Sequence, residues 1–378
     1  MADFDHNPIG WGSDSKRWRK YPQGVLPLWV ADMDFALAEP IRAALARRVA
    51  GAPFWYADIT SEHNQRVVEY LERCYGWIAE PDWVLWLPGL MVGVYQTVLM
   101  NPQGAGVVCQ TPVYGPLTRA ASLRRAIAAP VRRQGVVWRC DWPQLKPGVA
   151  DSLLLCHPHN PTGKAMGGDE LRQLGDYAAR HQLLIISDEI HADLTLDGNH
   201  MPFAVACPQL AQSTLTFMAA SKTYNIAGLN TAFAIIPNVG LRDQLRARLR
   251  LCGEVSGIGL LATLTALAEG ESWRRELLGY LRGNRELIRN TLEKIPGLDW
   301  LPNQATYLAW LDCSAFASAP GKTDGGERLH QQLLTAGLAL SPGSDFGDAN
   351  FLRLNYATSR DRLQQALDIL ARCASDLP

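Results

Sequence analysis

Six short runs in the middle of the chain are almost wholly apolar: WVLWL (83–87), GVVCQ (106–110), SLLLC (152–156), LLIISD (183–188), TLTFMA (214–219) and AFAII (232–236). A strand with one solvated face alternates apolar and polar residues, and several of these do not. Such runs predict a parallel sheet covered on both faces. Between two of them, DELRQLGDYAARHQ (169–182) sets Leu171, Leu174 and Ala178 on one helical stripe. Strand–helix–strand alternation of this kind predicts an α/β fold with a mostly parallel sheet.

The flanks differ from the middle. Residues 1–30, rich in Gly, Pro, Trp and charge, read as an irregular arm, and residues 60–75 as a helix that Gly76 ends. After residue 270 come a long helix candidate (272–295), two short apolar pieces (TYLAWLD and ANFLRLNYA) and a closing helix with Leu363, Leu367 and Leu370 on one face. Those last three read as core. The expected division is an arm plus part of a small domain (1–45), a large domain (46–270) and a small α+β domain (271–378), with SAPGKTDGG (318–326) as a loop.

Charge narrows the partners. Lys and Arg number 36 against 37 Asp and Glu, so no strong field exists to hold nucleic acid or an anionic membrane. No apolar run reaches the length of a membrane span, and the first twenty residues have no signal-peptide core. The eight cysteines are scattered, with no C-x-x-C, which suits a reducing compartment better than disulfides or zinc. Cytoplasm is the expectation. The H-x-H of His157 and His159, with two prolines beside the histidines and no nearby carboxylate, reads as a turn rather than a metal site.

Ligands of open α/β sheets collect beyond the carboxyl ends of the strands. There the chain offers Pro88-Gly89 and a helix start whose free amides at Leu90 and Met91 suit an anion, then Tyr114, Asn160, Asp188, His191, Ser221 and Lys222. An amine makes a Schiff base with a carbonyl compound. A buried carboxylate pairs with a protonated ring nitrogen, an amide with a phenolate-like oxygen, and an aromatic ring stacks on a flat heterocycle. A helix start with a hydroxyl holds phosphate. Together these are the needs of pyridoxal 5′-phosphate.

HNPTG, SDEIH, SKTYNIAGLN and FLRLNYA, in that order and spacing, resemble the motifs of fold-type I pyridoxal-phosphate enzymes, the class I and II aminotransferase superfamily. The resemblance covers nearly the whole chain. LPLWVADMDF, the histidine of SDEIHADL and Asn230, eight residues after Lys222, look like the cystathionine β-lyase (C–S lyase) branch. The resemblance implies that Lys222 is the Schiff-base lysine and carries the Cα proton. It implies that Asp188 pairs with the pyridinium, that Asn160 and His191 attend the ring oxygen, and that Tyr114 stacks on the ring. Ser221 and the Leu90 and Met91 amides would hold the phosphate, Arg353 the substrate carboxylate, and Tyr56 the phosphate of the neighbouring subunit in a homodimer. No metal is implied.

Each residue has a plainer role open to it. A strand-end lysine snorkels, Asp188 and Asn160 serve turns, His191 and Tyr114 pack in the core, Tyr56 packs within its own subunit, and Arg353 joins a surface ion pair. The register of the four motifs favours the chemical roles. Three departures from the branch, Trp55 for glycine, HPHNPTGK for NPHNPVGR, and a shortened FGDANFLRLN, lie near the substrate entrance or the phosphate end. Trp29 and Trp55 are candidates to line that entrance. The expected reaction is β-elimination from cystathionine or another cysteine S-conjugate. The alternatives are amino transfer to a 2-oxo acid, or a specialised elimination or cyclisation in a biosynthetic pathway. A regulatory or binding protein is disfavoured by the retained lysine.

Overall fold

In the computed structural model, residues 2–6, 8, 10–51 and 53–377 are described. The six apolar runs form six strands of one eight-stranded sheet. Its spatial order is Val84–Leu87, Ala232–Ile235, Thr214–Met218, Leu184–Asp188, Ser152–Cys156, Gly106–Thr111, Arg125–Gln134 and Val137–Cys140. The strands from Thr214–Met218 to Arg125–Gln134 pair in parallel, and the pairings at both margins are antiparallel.

Central strands are apolar throughout because both faces are covered. Leu154 and Cys156 face a core shared with the helices Leu90–Val98, Gly115–Ser122 and Val239–Leu249. Leu153 and Leu155 face the opposite side, where Leu171, Leu174 and Ala178 of the helix Gly168–Arg180 cover them. Gly93 brings the first of these helices close to the sheet, since a Cβ there would lie 2.7 Å from the Phe217 ring. The hairpin Arg125–Cys140 has no counterpart among the predicted strands. It forms the sheet margin, is largely exposed and carries Arg125, Arg132, Arg133 and Arg139, so no apolar run marks it.

Beyond residue 270 the helix Glu271–Leu292 leads to a small antiparallel sheet in the order Asp299–Trp300, Leu308–Asp312, Phe351–Asn355 and Ser341–Pro342. Helices Gly325–Thr335 and Arg360–Ser375 cover it, the latter burying Leu363, Leu367 and Leu370. The expected loop ends early: Ser318 donates to Asp324 from its backbone N–H (2.9 Å) and its hydroxyl (2.6 Å), and helix begins at Gly325.

The arm is irregular apart from the short helix Lys16–Arg19 and the strand Leu26–Pro27, which pairs in parallel with Leu338–Ala339. From there residues 28–35 form a strap between the two sheets. Asn355 Nδ2 donates to the carbonyl of Asp32 (2.7 Å) and to that of Val30. Asn225 accepts from Met33 N–H (3.1 Å) and donates to the carbonyls of Met33 (3.0 Å) and Phe35 (2.9 Å). Among the described residues, no helix is long and apolar enough to cross a membrane.

Candidate active site

A cavity of about 590 Å³ lies where the strand ends, the strap and the small sheet meet. Tyr114, Asn160, Asp188, His191, Ser221, Lys222, Arg353, Leu90 and Met91 all line it. Nine of the ten expected site residues, scattered over more than 260 positions of chain, thus converge on one space.

Asp188 is the last residue of its strand, so the ladder fixes its direction. Its carboxylate accepts from Ile190 N–H at 3.1 Å. Burial pushes its pKa up to about 7; that hydrogen bond pulls down, Glu189 pushes up and Lys222 pulls down. A buried carboxyl with no ion pair of its own among the described residues is suited to a cationic partner, whose charge would offset the burial. Lys222 follows its strand by four residues, in a turn. Its ammonium donates to the carbonyl of Ala31 at 2.6 Å. Burial lowers its pKa most, with Asp32 acting against that shift.

Asn160 accepts from Arg353 Nη1 at 3.0 Å through Oδ1, which leaves its Nδ2 as a donor for a phenolate-like oxygen. Arg353 also donates from Nη2 to the carbonyl of Trp29 (2.8 Å), and its guanidinium lies 4.5 Å from the Phe346 ring centroid. Burial lowers its pKa to about 10, which leaves it charged at neutral pH. His191 is buried and held neutral, its pKa lowered to about 3 by burial first and then by Lys222 and Arg353. Tyr114 caps the helix Gly115–Ser122, and its N–H donates to the carbonyl of Asn160 at 2.9 Å. Opposite, Gly89 precedes the helix Leu90–Val98 with φ 121°, a conformation that favours glycine and turns the first amides into the cavity.

Tyr56 lies apart. It is 89 % exposed and neighbours Arg246, Arg250 and Val255 in a separate surface hollow. Trp29 lines the cavity as expected, but Trp55 does not: it stacks under the Arg48 guanidinium at 4.0 Å and is 55 % exposed. The attraction of a cation for the indole face accounts for that placement. His157 and His159 stay in the turn. His157 faces the Met201 carbonyl at 3.1 Å and His159 the Thr162 hydroxyl at 2.8 Å, and among the described residues no cluster suits a metal.

Sequence reasoning marked LPLWVADMDF as a motif and Trp29 at the entrance but missed what the strap's backbone does. The carbonyls of Trp29 and Ala31 take the charges of Arg353 and Lys222, and Ser341 donates to the Trp29 carbonyl at 2.6 Å. Backbone acceptors carry no residue signature. Asn225 and Asn355, which hold the strap, lie inside the quoted motifs and were the available signal.

The site fits pyridoxal phosphate on its own chemistry. Nδ1 of His191 and Nε of Arg353 are buried without a hydrogen-bond partner among the described residues. A buried polar atom is costly unless something satisfies it, and both belong to residues that line the cavity. The amine, the carboxyl of raised pKa, the amide and the helix start complete the set.

Comparison with known proteins agrees with this geometry. A family model described as aminotransferase class I and II matches residues 27–370. Cystathionine beta-lyase PatB of Bacillus subtilis is 32% identical over 384 residues, covering 97% of this chain and 98% of that protein. The crystal structure of OvoB superposes with a TM-score of 0.91 at 34% identity, over 99% of both chains. That of cystalysin from Treponema denticola, which contains pyridoxal 5′-phosphate, does so with a TM-score of 0.93 at 27% identity, over 100% of this chain and 99% of that one.

Proposed function

Because the chain belongs to the family of class I and II aminotransferases, we propose that it is a carbon–sulfur lyase that splits cystathionine or a related cysteine S-conjugate into thiol, pyruvate and ammonia. Its cofactor is pyridoxal 5′-phosphate, which when bound supplies an electron sink for the carbanion formed at the substrate's Cα. The observation that carries the reading is the convergence of Lys222, Asp188, Asn160 and Arg353 on one cavity.

The protein decides which bond at Cα breaks. Arg353 holds the substrate α-carboxylate, with Asn160 and the Trp29 carbonyl fixing the guanidinium plane. Lys222 Nζ, its pKa depressed by burial, takes the Cα proton. Asp188 would meet the ring nitrogen as a carboxylate and favour its protonated form by opposite charge. The Asn160 amide, with His191 beside it, would donate to the ring oxygen, Tyr114 would stack on the ring, and Ser221 with the Leu90 and Met91 amides would hold the phosphate.

The same reading makes the functional unit a homodimer. Phe54, Trp55 and Tyr56 are 64, 55 and 89 % exposed, and Tyr56 reaches the partner's phosphate. Residues 46–270 form the cofactor-binding unit, with 1–45 and 271–378 as the smaller one. A cytoplasmic setting suits the eight free cysteines.

Purified protein with pyridoxal phosphate and cystathionine tests the reaction. Pyruvate and thiol rise in equal amounts, and Lys222→Ala lowers both by roughly a thousandfold or more. A 2-oxo acid that restores turnover of an amino donor, with no pyruvate or thiol from cystathionine, sinks the lyase reading in favour of amino transfer.

A further inference from the structure

The strap delivers more to Lys222 than a carbonyl. Residue 32 follows the carbonyl that receives the ammonium at 2.6 Å, so the Asp32 backbone is anchored next to Nζ. That backbone is fixed on its other side, where the Asp32 carbonyl accepts from Asn355 Nδ2 (2.7 Å) and Arg17 Nη1 (3.1 Å). Arg17 Nη1 also donates to the carboxylate, to Oδ1 at 3.2 Å. Arg17 is itself buried, bound to the Pro27 carbonyl at 2.7 Å and paired with Asp34 at 3.4 Å.

We propose that Asp32 is a positioning residue for the proton carried by Lys222: its carboxylate and the Ala31 carbonyl form a station that stabilises the ammonium formed once the free amine has taken a proton. The inference rests on the reading of Lys222 given above. When Nζ takes the Cα proton it becomes an ammonium in a buried place, which desolvation disfavours. A carboxylate beside it lowers that cost without exchanging the proton. The charged groups that face Nζ are Asp32 and Asp188, which favour the ammonium, and Arg353, which opposes it; His191 is neutral. Of the two carboxylates Asp32 acts on Nζ the more strongly. Asp188 is committed to the ring, so Asp32 is the carboxylate left for the lysine. Burial raises the Asp32 pKa, and Arg17 first, then Lys222, act against that rise and favour the carboxylate.

The test reads the Lys222 amine directly in cofactor-free protein. Trinitrobenzenesulfonate labels free amines, and mass spectrometry of the Lys222 peptide against pH gives the midpoint of its deprotonation. Asp32→Asn lowers that midpoint by about one unit, so labelling below it runs about tenfold faster; Asp32→Glu restores it. Asn225→Gly tolerates the left-handed backbone there (φ 57°) while cutting the three strap hydrogen bonds, and lowers the midpoint in the same direction. A folded Asp32→Asn protein with the wild-type midpoint overturns the proposal. Should Asp32→Asn fail to give a cooperative melt, Asn225→Gly decides, and an unchanged midpoint there overturns it. Wild-type protein labelled with and without pyridoxal phosphate separates the premise: if the cofactor fails to protect Lys222, the role of the lysine falls whatever the midpoints show.

Discussion

The wall of the cavity made by the sheet and the wall made by the strap use different parts of the chain. Strand ends present side chains, among them Asp188 and Asn160, whose residue types name their chemistry. Across from them the strap presents carbonyl oxygens, from Trp29 to Arg353 and from Ala31 to Lys222. The first wall stands on a parallel ladder buried on both faces. The second stands on two asparagines and an arginine that could hold any backbone of the right shape. Chemistry is thus placed by the rigid layer, and the ion-holding frame around it by a segment with little regular structure of its own.

Substitutions on the sheet side should cost turnover, and those on the strap side should cost stability and amine tuning. Asp188→Asn removes the ring partner, and kcat falls by roughly a hundredfold or more with the far-ultraviolet spectrum unchanged. Arg353→Lys keeps the charge and loses the fork that meets a carboxylate with two parallel bonds. KM rises by roughly tenfold to a hundredfold, the equivalent of about 1.4–3 kcal/mol, while kcat changes less. Asn355→Ala takes one donor from each of the Val30 and Asp32 carbonyls, which keep the Asp32 N–H and Arg17 Nη1, and denaturant titration should show a loss of about 1–3 kcal/mol for the two bonds. If that variant instead loses turnover as Asp188→Asn does, the two walls do not divide the work as described.

Acid sharpens the contrast, because the strap's amide–carbonyl bonds do not titrate and the sheet wall does. His157 is fully buried and burial lowers its pKa to about 4. The unfolded chain takes up a proton there near pH 6.5. Its stabilising contribution is present above that pH and is lost as pH falls toward 4, by up to roughly 3 kcal/mol. Asp188 and Glu189, both pushed up to about 7 by burial, have the opposite sign: their contribution is full below the unfolded carboxyl range and fades as pH rises through 7. His157→Asn should flatten the acid limb of melting temperature against pH in cofactor-free protein. An unchanged limb assigns the acid loss to other groups.

Much of this was legible in the sequence, for identifiable reasons. Six apolar runs marked six strands because burial on both faces leaves no polar alternation to mislead. The Arg-rich hairpin 125–140 escaped because a sheet margin needs charge. Asp188, Asn160 and Lys222 could be picked out because each follows or ends a strand and differs sharply from its apolar neighbours, and Arg353, in the middle of its strand, because it stands in the FLRLNYA motif. The destination of Trp55 could not, since stacking on Arg48 depends on a contact between chain segments and not on either residue alone. Asp32 was hidden for another reason: its effect on Lys222 passes through a fold-level pairing 190 residues long, as the sequence separation of 191 from Ala31 to Lys222 shows.

The strap also carries a consequence for the order in which the molecule is made. Asn355 reaches back 325 positions to Val30, and Arg353 reaches 324 to Trp29. A ribosome adding roughly 5–20 residues each second finishes residues 28–35 long before their partners exist. The central sheet, whose strands all lie between residues 84 and 235, can assemble meanwhile. A nascent chain stopped short of residue 353 would therefore own its lysine, its aspartate and Asn225 but not the Arg353 and Asn355 donors that fix the Trp29, Val30 and Asp32 carbonyls, so one of the earliest parts of the site to be synthesised is among the last to be fully fastened.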